Sequence, residues 1–82
     1  MRIKPIRQDL AKFISRHNLN AKFTKQLTQF IQNPFHPSLQ TEILNPKAFK
    51  LYSFRLDQKY RVIFIKISEN EIEIVDINNH YQ

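Results

Sequence analysis

The sequence predicts an α+β fold in one small domain spanning residues 1–82: a short strand, a pair of helices, and then an antiparallel sheet. Two patterns predict it. Apolar residues recur at helical spacing in the first part of the chain, and they alternate with polar residues in the last part. The length of 82 residues is enough for one modest hydrophobic core and for no second domain.

The chain opens with a segment, residues 2–6, that can form only a short edge strand. Ile3 and Ile6 are its apolar residues, and Pro5 lies between them. Because proline has no N–H to donate to a neighbouring strand, it is confined to the edges of sheets. We therefore expect this segment to add one short strand at the border of the sheet.

Two amphipathic helices follow, joined by a few residues as a helical hairpin. The first starts at Asp9, and His17 is expected to lie half-buried at the end of its apolar side. Asn18 and Asn20 interrupt the pattern and can cap helices. The second helix ends at Asn33, because a residue before proline disfavours helical backbone angles. Its predicted apolar face is Phe23, Leu27, Phe30 and Ile31, and its predicted solvent face is Lys22, Lys25, Gln26, Gln29 and Gln32.

A proline-containing loop and three strands complete the prediction. Residues 34–48 are expected to be extended loop with one short apolar piece, and His36 is expected to make a turn hydrogen bond. The strands are predicted at 49–56, 60–67 and 71–77. The second is apolar on both faces towards its end, which indicates a central strand. The third changes phase near Val75, which indicates a bulge.

The register of the first strand pair decides which side chains share a face. If Leu56 pairs with Tyr60 across a three-residue loop, the apolar residues of both strands lie on one face and can pack on the helices. Arg55 then lies directly opposite Arg61 on the other face. A two-residue loop would mix apolar and basic residues on each face, so amphipathicity favours the first register.

Composition excludes several functional classes. The chain has no cysteine and no glycine, so it holds no cysteine zinc site, no cysteine nucleophile and no glycine-rich phosphate loop. Its three histidines are scattered, which predicts no metal and no cofactor site. The longest apolar run covers residues 62–65, far short of the ~18 residues of a membrane helix. A cytoplasmic protein with no membrane partner is the expectation.

The basic charge suggests a polyanionic partner. The formal net charge is +6, and the bases cluster: residues 1–25 carry seven bases and one acid, and residues 47–66 carry six bases and one acid. Two basic segments that converge in space are typical of nucleic-acid binding. The alternative is that the charge serves only solubility.

Arg55 and Arg61 are the residues whose spacing points to chemistry. Two arginines side by side repel each other unless an anion lies between them, and a guanidinium suits a phosphate. Exposure to solvent, or pairing with Glu71 or Glu73 on the third strand, explains the same pattern equally well. His80, taken by its position alone, belongs to a polar terminal tail.

Four stretches, taken together, resemble a known family. They are NPFHPSL at residues 33–39, LYSFR at 51–55, YRVIF at 60–64 and DINNH at 76–80. In this order and spacing, on a short basic chain, they resemble the RelE/ParE superfamily of bacterial toxin–antitoxin modules. The resemblance implies a RelE-like β-α-α-β-β-β chain with a twisted antiparallel sheet and the helix pair on one face. It also implies a toxin of a type II system that cleaves mRNA in the ribosomal A site.

The resemblance assigns roles to five residues. Arg61 matches the arginine that holds the scissile phosphate, and Arg55 matches a second basic position. Glu42 matches the general base of the YoeB-like branch, although it also suits an ion pair with Lys47. His80 matches a proposed general acid or base, and Tyr81 matches the residue that follows it. Asn78–Asn79 departs from the glycine-containing pair of many relatives. Further RNA contacts are expected from Lys47, Lys50 and Lys59.

The same superfamily leaves other functions open. A ParE-like poison of DNA gyrase needs no acid–base pair, and an inert relative would only bind its antitoxin. The joint presence of Glu42, Arg61 and His80 favours the ribonuclease, which needs no metal. The expected partners are mRNA, the ribosome and a cognate acidic antitoxin, the last in a toxin–antitoxin hetero-oligomer.

Overall fold

The computed structural model describes residues 1–45 and 51–79. A first strand and two helices come before a 3₁₀ turn and four further strands. Their bounds are β1 Arg2–Ile3, α1 Gln8–Arg16, α2 Asn20–Gln32, the 3₁₀ turn Pro37–Leu39, β2 Glu42–Asn45, β3 Leu51–Arg55, β4 Tyr60–Ser68 and β5 Glu71–Asn79.

The predicted α+β fold is confirmed, with one strand more than expected. The sheet has the order β1-β5-β4-β3-β2, so β4 is central as predicted. Strand β1 runs parallel to β5 at one edge, which makes the sheet mixed, and the other pairs are antiparallel. The added strand, β2, lies in the segment expected to be loop. Apolar and polar residues do not alternate along its four positions, so the local sequence gives no strand pattern. The strand forms because it pairs with β3, which is a contact between separate segments of the chain.

The predicted register of β3 and β4 is confirmed. Arg55 pairs with Arg61 and Phe54 with Val62. The three-residue loop is fixed by Asp57, whose carboxylate oxygen Oδ1 accepts hydrogen bonds of 2.8 Å from the backbone N–H groups of Lys59 and Tyr60. The Asp57 carboxylate thus serves as the hydrogen-bond acceptor for two backbone N–H groups of the turn. The predicted bulge is also present, because the pairing of β4 with β5 shifts around Val75.

The core lies between the helices and one face of the sheet. Phe30 of α2 is its centre: the ring stacks on Phe54 and meets Phe64 edge-on, each with ring centres 5.0 Å apart. Leu19, between the helices, is buried as well, although the sequence pattern does not single it out. The buried apolar cluster comprises Leu10, Ile14, Leu19, Phe30, Leu39, Phe54, Leu56, Tyr60, Val62, Phe64, Ile72, Ile74 and Ile77.

Three expectations for the helices are wrong. Gln26 is only 7% exposed, whereas Ile31 is 43% exposed. The reason is a rotation of α2 that turns Gln26 towards the end of β3, where its amide finds backbone acceptors. His17 is exposed, not half-buried, because it follows the last residue of α1. Its ring stacks on Phe13, and Asn18 ends the helix with a left-handed backbone.

Among the residues that the structure describes, neither helix has the length and apolar character needed to cross a membrane.

Candidate anion-binding site on the sheet

The candidate site lies on the sheet face opposite the helices. Side chains alternate between faces along each strand, and residues paired across strands share a face. Because Phe54 and Val62 face the helices, their neighbours Arg55 and Arg61 face away. The pairing aligns two rows of side chains on this second face: Glu42, Ser53, Ile63 and Asp76, and beside them Arg55, Arg61 and Asn78.

Arg61 lies on the predicted face, but it is buried there. Its residue surface is only 5% exposed, where an open position was expected. Its Nε donates a hydrogen bond of 2.9 Å to the hydroxyl of Ser53, and its Nη2 donates one of 2.6 Å to the carbonyl oxygen of Gln40. Gln40 ends the 3₁₀ turn with a left-handed backbone, φ 46°. This turn brings its carbonyl against the guanidinium, which explains part of the burial.

One nitrogen of Arg61 is left without a partner. Nη1 is buried, and no described residue accepts a hydrogen bond from it. A buried donor without an acceptor is unfavourable, particularly on a charged group. An anion placed at Nη1 would remove this deficit.

The charges around Arg61 are unbalanced. Burial lowers the pKa of Arg61, the carboxylate of Glu42 raises it, and the charge of Arg55 lowers it. Arginine nevertheless stays protonated in proteins. The guanidinium is therefore a desolvated cation beside a second cation, with one exposed carboxylate near it.

Arg55 is half-buried, and within the described residues its side chain donates one long hydrogen bond, 3.3 Å from its Nε to the backbone oxygen of Asp57. The alternative in which Glu71 or Glu73 neutralises the arginines is not seen: within residues 1–45 and 51–79, neither Arg55 nor Arg61 forms an ion pair. No carboxylate of the described residues is therefore paired with either arginine.

The structure brings together three of the five predicted site residues. Glu42 is exposed at the edge of the sheet, on β2, and acts electrostatically on Arg61. His80 and Tyr81 lie outside the described residues, as do Lys47 and Lys50. Lys59 is described: it lies in the hairpin loop with its ammonium 5.4 Å from the centre of the Tyr60 ring.

Sequence reasoning missed the residues that hold Arg61. Ser53 is fully buried, and the sequence signal for it was available: it precedes Arg55 by two residues on the same strand face. Gln40 gave no signal, because its contribution is a backbone carbonyl positioned by a left-handed conformation that glutamine rarely adopts.

The described residues contain no group of three or more histidines and carboxylates that could hold a metal ion.

The geometry defines a small α+β domain with two paired arginines on the sheet face opposite the helices. Several solved toxin structures share its fold. A YoeB/ParE toxin from Agrobacterium tumefaciens aligns with a TM-score of 0.71 at 19% identity, over 99% of this chain and 100% of that chain. A YoeB dimer from Staphylococcus aureus aligns with a TM-score of 0.69 at 19% sequence identity. A YoeB–YefM complex from the same organism aligns with a TM-score of 0.69 at 20% identity. Each of these two alignments covers 98% of this chain and 94% of the other chain.

The family model described as the ParE toxin of the type II toxin–antitoxin system parDE matches residues 4–82. The chain belongs to this family, and it is therefore a toxin of a type II toxin–antitoxin system, as the resemblance implied. A comparison with curated protein sequences finds no match.

Proposed function

We propose that this toxin is an endoribonuclease that cleaves mRNA in the ribosomal A site. The observation that carries the proposal is Arg61, a buried guanidinium whose Nη1 has no hydrogen-bond partner among the described residues; it lies beside Arg55 and near Glu42. Cleavage of RNA by its own 2′-hydroxyl needs a base, stabilisation of the phosphorane charge and an acid for the leaving 5′-oxygen. Such a target places the activity in the cytoplasm.

Each group has a proposed task. Glu42 takes the proton of the 2′-hydroxyl, whose oxygen then attacks the phosphorus. Arg61 donates to a phosphate oxygen through Nη1, and Arg55 adds a second positive charge. His80 gives a proton to the 5′-oxygen as the bond from phosphorus to that oxygen breaks, and Tyr81 stacks on a base. Lys47, Lys50 and Lys59 bind flanking phosphates. All of this chemistry uses side chains alone.

The family match favours a second candidate, a ParE-like poison of DNA gyrase. This function requires a binding surface and no acid–base pair. A gyrase poison would have no use for the carboxylate of Glu42 beside the arginine pair, and for this reason we prefer the ribonuclease. A chain that only binds its antitoxin would require neither group.

We propose a cognate antitoxin as the protein partner. Two of the structures with this fold are complexes of YoeB with YefM. With a net charge of +6, the chain favours an acidic partner segment that covers the helices and the sheet, in a toxin–antitoxin hetero-oligomer. A pull-down from the native host should recover a small acidic protein, and recovery of none would contradict the partner.

Mapping of RNA ends in cells tests the proposed function. After induction of the toxin, primer extension should find new 5′ ends inside translated frames and in phase with codons. Arg61→Ala should remove them. Intact mRNA accompanied by double-strand DNA breaks would instead identify the gyrase poison, and intact mRNA and DNA would identify the inert relative.

A further inference from the structure

A cleft of about 320 Å³ lies beside the site, between α2 and the β3–β4 hairpin. One wall comes from the first turns of α2 and the other from the hairpin loop, with the 3₁₀ turn at one end. The residues that line it are Lys22, Lys25, Gln26, Ser38, Arg55, Leu56, Asp57 and Gln58. No task in the proposed chemistry uses this cleft as a whole.

The cleft has an excess of positive charge. Three of its residues are cations, and Asp57 is its one carboxylate. Burial raises the pKa of Asp57, but the N–H groups of Tyr60 and Lys59 and the ammonium of Lys22 outweigh burial, so the pKa lies below its usual value. The carboxylate is thus ionised and bound to Lys22 at 3.2 Å. Lys25 and Arg55 have no carboxylate partner within the described ranges.

The walls of the cleft are fixed by a buried amide. The Nε2 of Gln26 donates a hydrogen bond of 2.8 Å to the backbone oxygen of Arg55 and a longer one, 3.4 Å, to that of Ser38. One side chain therefore ties the helix to the end of β3 and to the 3₁₀ turn. A binding surface held in this way needs little ordering when a ligand arrives.

Arg55 makes the cleft continuous with the candidate site. It lines the cleft and is also the direct cross-strand partner of Arg61, a pairing that brings two Cα atoms within roughly 5 Å. A polyanion held at Arg61 can therefore pass Arg55 and enter the cleft. The next negative charge along that polyanion would then lie near the ammonium of Lys25.

We propose that this cleft binds a backbone phosphate of the RNA strand next to the cleavage position, through Lys25 and Arg55. The proposal rests on the proposed ribonuclease function and extends it. Contact with phosphate alone is independent of base sequence, so the cleft would contribute affinity and orientation and no codon preference. RNA is favoured over an acidic peptide because the charge continues without a break from Arg61, where the buried guanidinium calls for an anion.

Lys25→Gln tests the proposal, with Lys12→Gln as its matched control. Both lysines are exposed on helices, neither has an ion-pair partner in the part of the chain that is described, and each change removes one charge. The probe is a fluorescent 12-nucleotide RNA with 2′-O-methyl groups, which cannot be cleaved. Lys25→Gln should weaken its binding about 3- to 10-fold and lower the slope of log K against log salt by about 0.7. Lys12→Gln should change the affinity less than about 2-fold.

Equal losses in the two variants would overturn the proposal, since the effect would then be one of net charge. Unchanged RNA binding in Lys25→Gln, together with weaker binding of an acidic antitoxin segment, would also overturn it and make the cleft a protein site. If codon-phased cleavage persists while Lys25 proves irrelevant, only the cleft is refuted. If Lys25 governs probe binding but no mRNA is cut, the cleft is supported and the ribonuclease is refuted.

Discussion

The burial of Arg61 distinguishes it from an ordinary surface arginine. On an open face it would be one of many surface cations, whereas its guanidinium is desolvated and held by Ser53 and Gln40. Holding a charge donor rigidly before the substrate binds is what makes it effective in a transition state. The alternation of β3 and β4 could predict which face Arg61 occupies. It could not predict the burial, because the Gln40 carbonyl arrives from a distant turn.

Ser53→Ala should destabilise the protein by about 1–3 kcal/mol, because it leaves the buried Nε of Arg61 without its acceptor. The free energy of unfolding in urea measures this. Ser15→Ala, at an exposed position of α1, is the control and should stay within about 0.5 kcal/mol of the wild type. Equal stability of Ser53→Ala and the wild type would mean that the hydrogen bond does not hold Arg61.

Arg61→Ala should lower the rate of RNA cleavage about 100- to 1,000-fold, because it removes the donor to the phosphate. Arg61→Lys should recover only part of this loss, because an ammonium cannot donate to Ser53, Gln40 and a phosphate through a planar fork. Growth inhibition after induction and single-turnover cleavage measure the loss, and circular dichroism verifies the fold. Arg16→Lys on the surface of α1 should retain full toxicity. A folded, fully toxic Arg61→Ala would exclude Arg61 as the phosphate ligand.

At the scale of elements, the sequence predicted well those features that depend on residues close together in the chain. The three-residue hairpin loop follows from alternation on its two sides, and the bulge follows from one change of phase at Val75. What it predicted poorly depended on distant partners. Strand β2 exists through pairing with β3, and Gln26 is buried because the end of β3 and the 3₁₀ turn offer carbonyls to its amide.

The Asp57 turn gives the β3–β4 hairpin a dependence on pH. The pKa of Asp57 is lowered in the folded protein, so its ionised form stabilises the fold. This contribution is complete above the unfolded value of 3.8 and is lost as the pH falls through the lower folded value. Asp57→Asn should therefore flatten the fall in unfolding free energy between about pH 5 and pH 2.

The control for that prediction is Asp9→Asn. Asp9 pairs with Arg7 at 3.0 Å, but both side chains are largely exposed, and exposed pairs contribute little to stability. The unfolding free energy of Asp9→Asn should therefore fall with decreasing pH in the same way as that of the wild type. An Asp57→Asn curve that also follows the wild type would show that the turn is held by other groups.

At the scale of the molecule, the fold and the family were predictable and the activity was not. The order of four short landmarks from residue 33 to residue 80 was enough to indicate the superfamily, which the family match over residues 4–82 confirms. The proposed activity depends on a few side chains arranged on one sheet face. Glu42 and Arg61 are 19 positions apart in the chain, and the β2–β3–β4 ladder brings them to the same sheet face.

The most direct test of the account is the chemistry of the cut ends. Purified toxin is added to ribosomes stalled on a defined mRNA with an empty A site. Attack by the 2′-hydroxyl predicts one cut within the A-site codon, with a 2′,3′-cyclic phosphate on the upstream fragment and a 5′-hydroxyl on the downstream fragment. An uncut mRNA, or a downstream fragment that begins with a 5′-phosphate, would contradict the account.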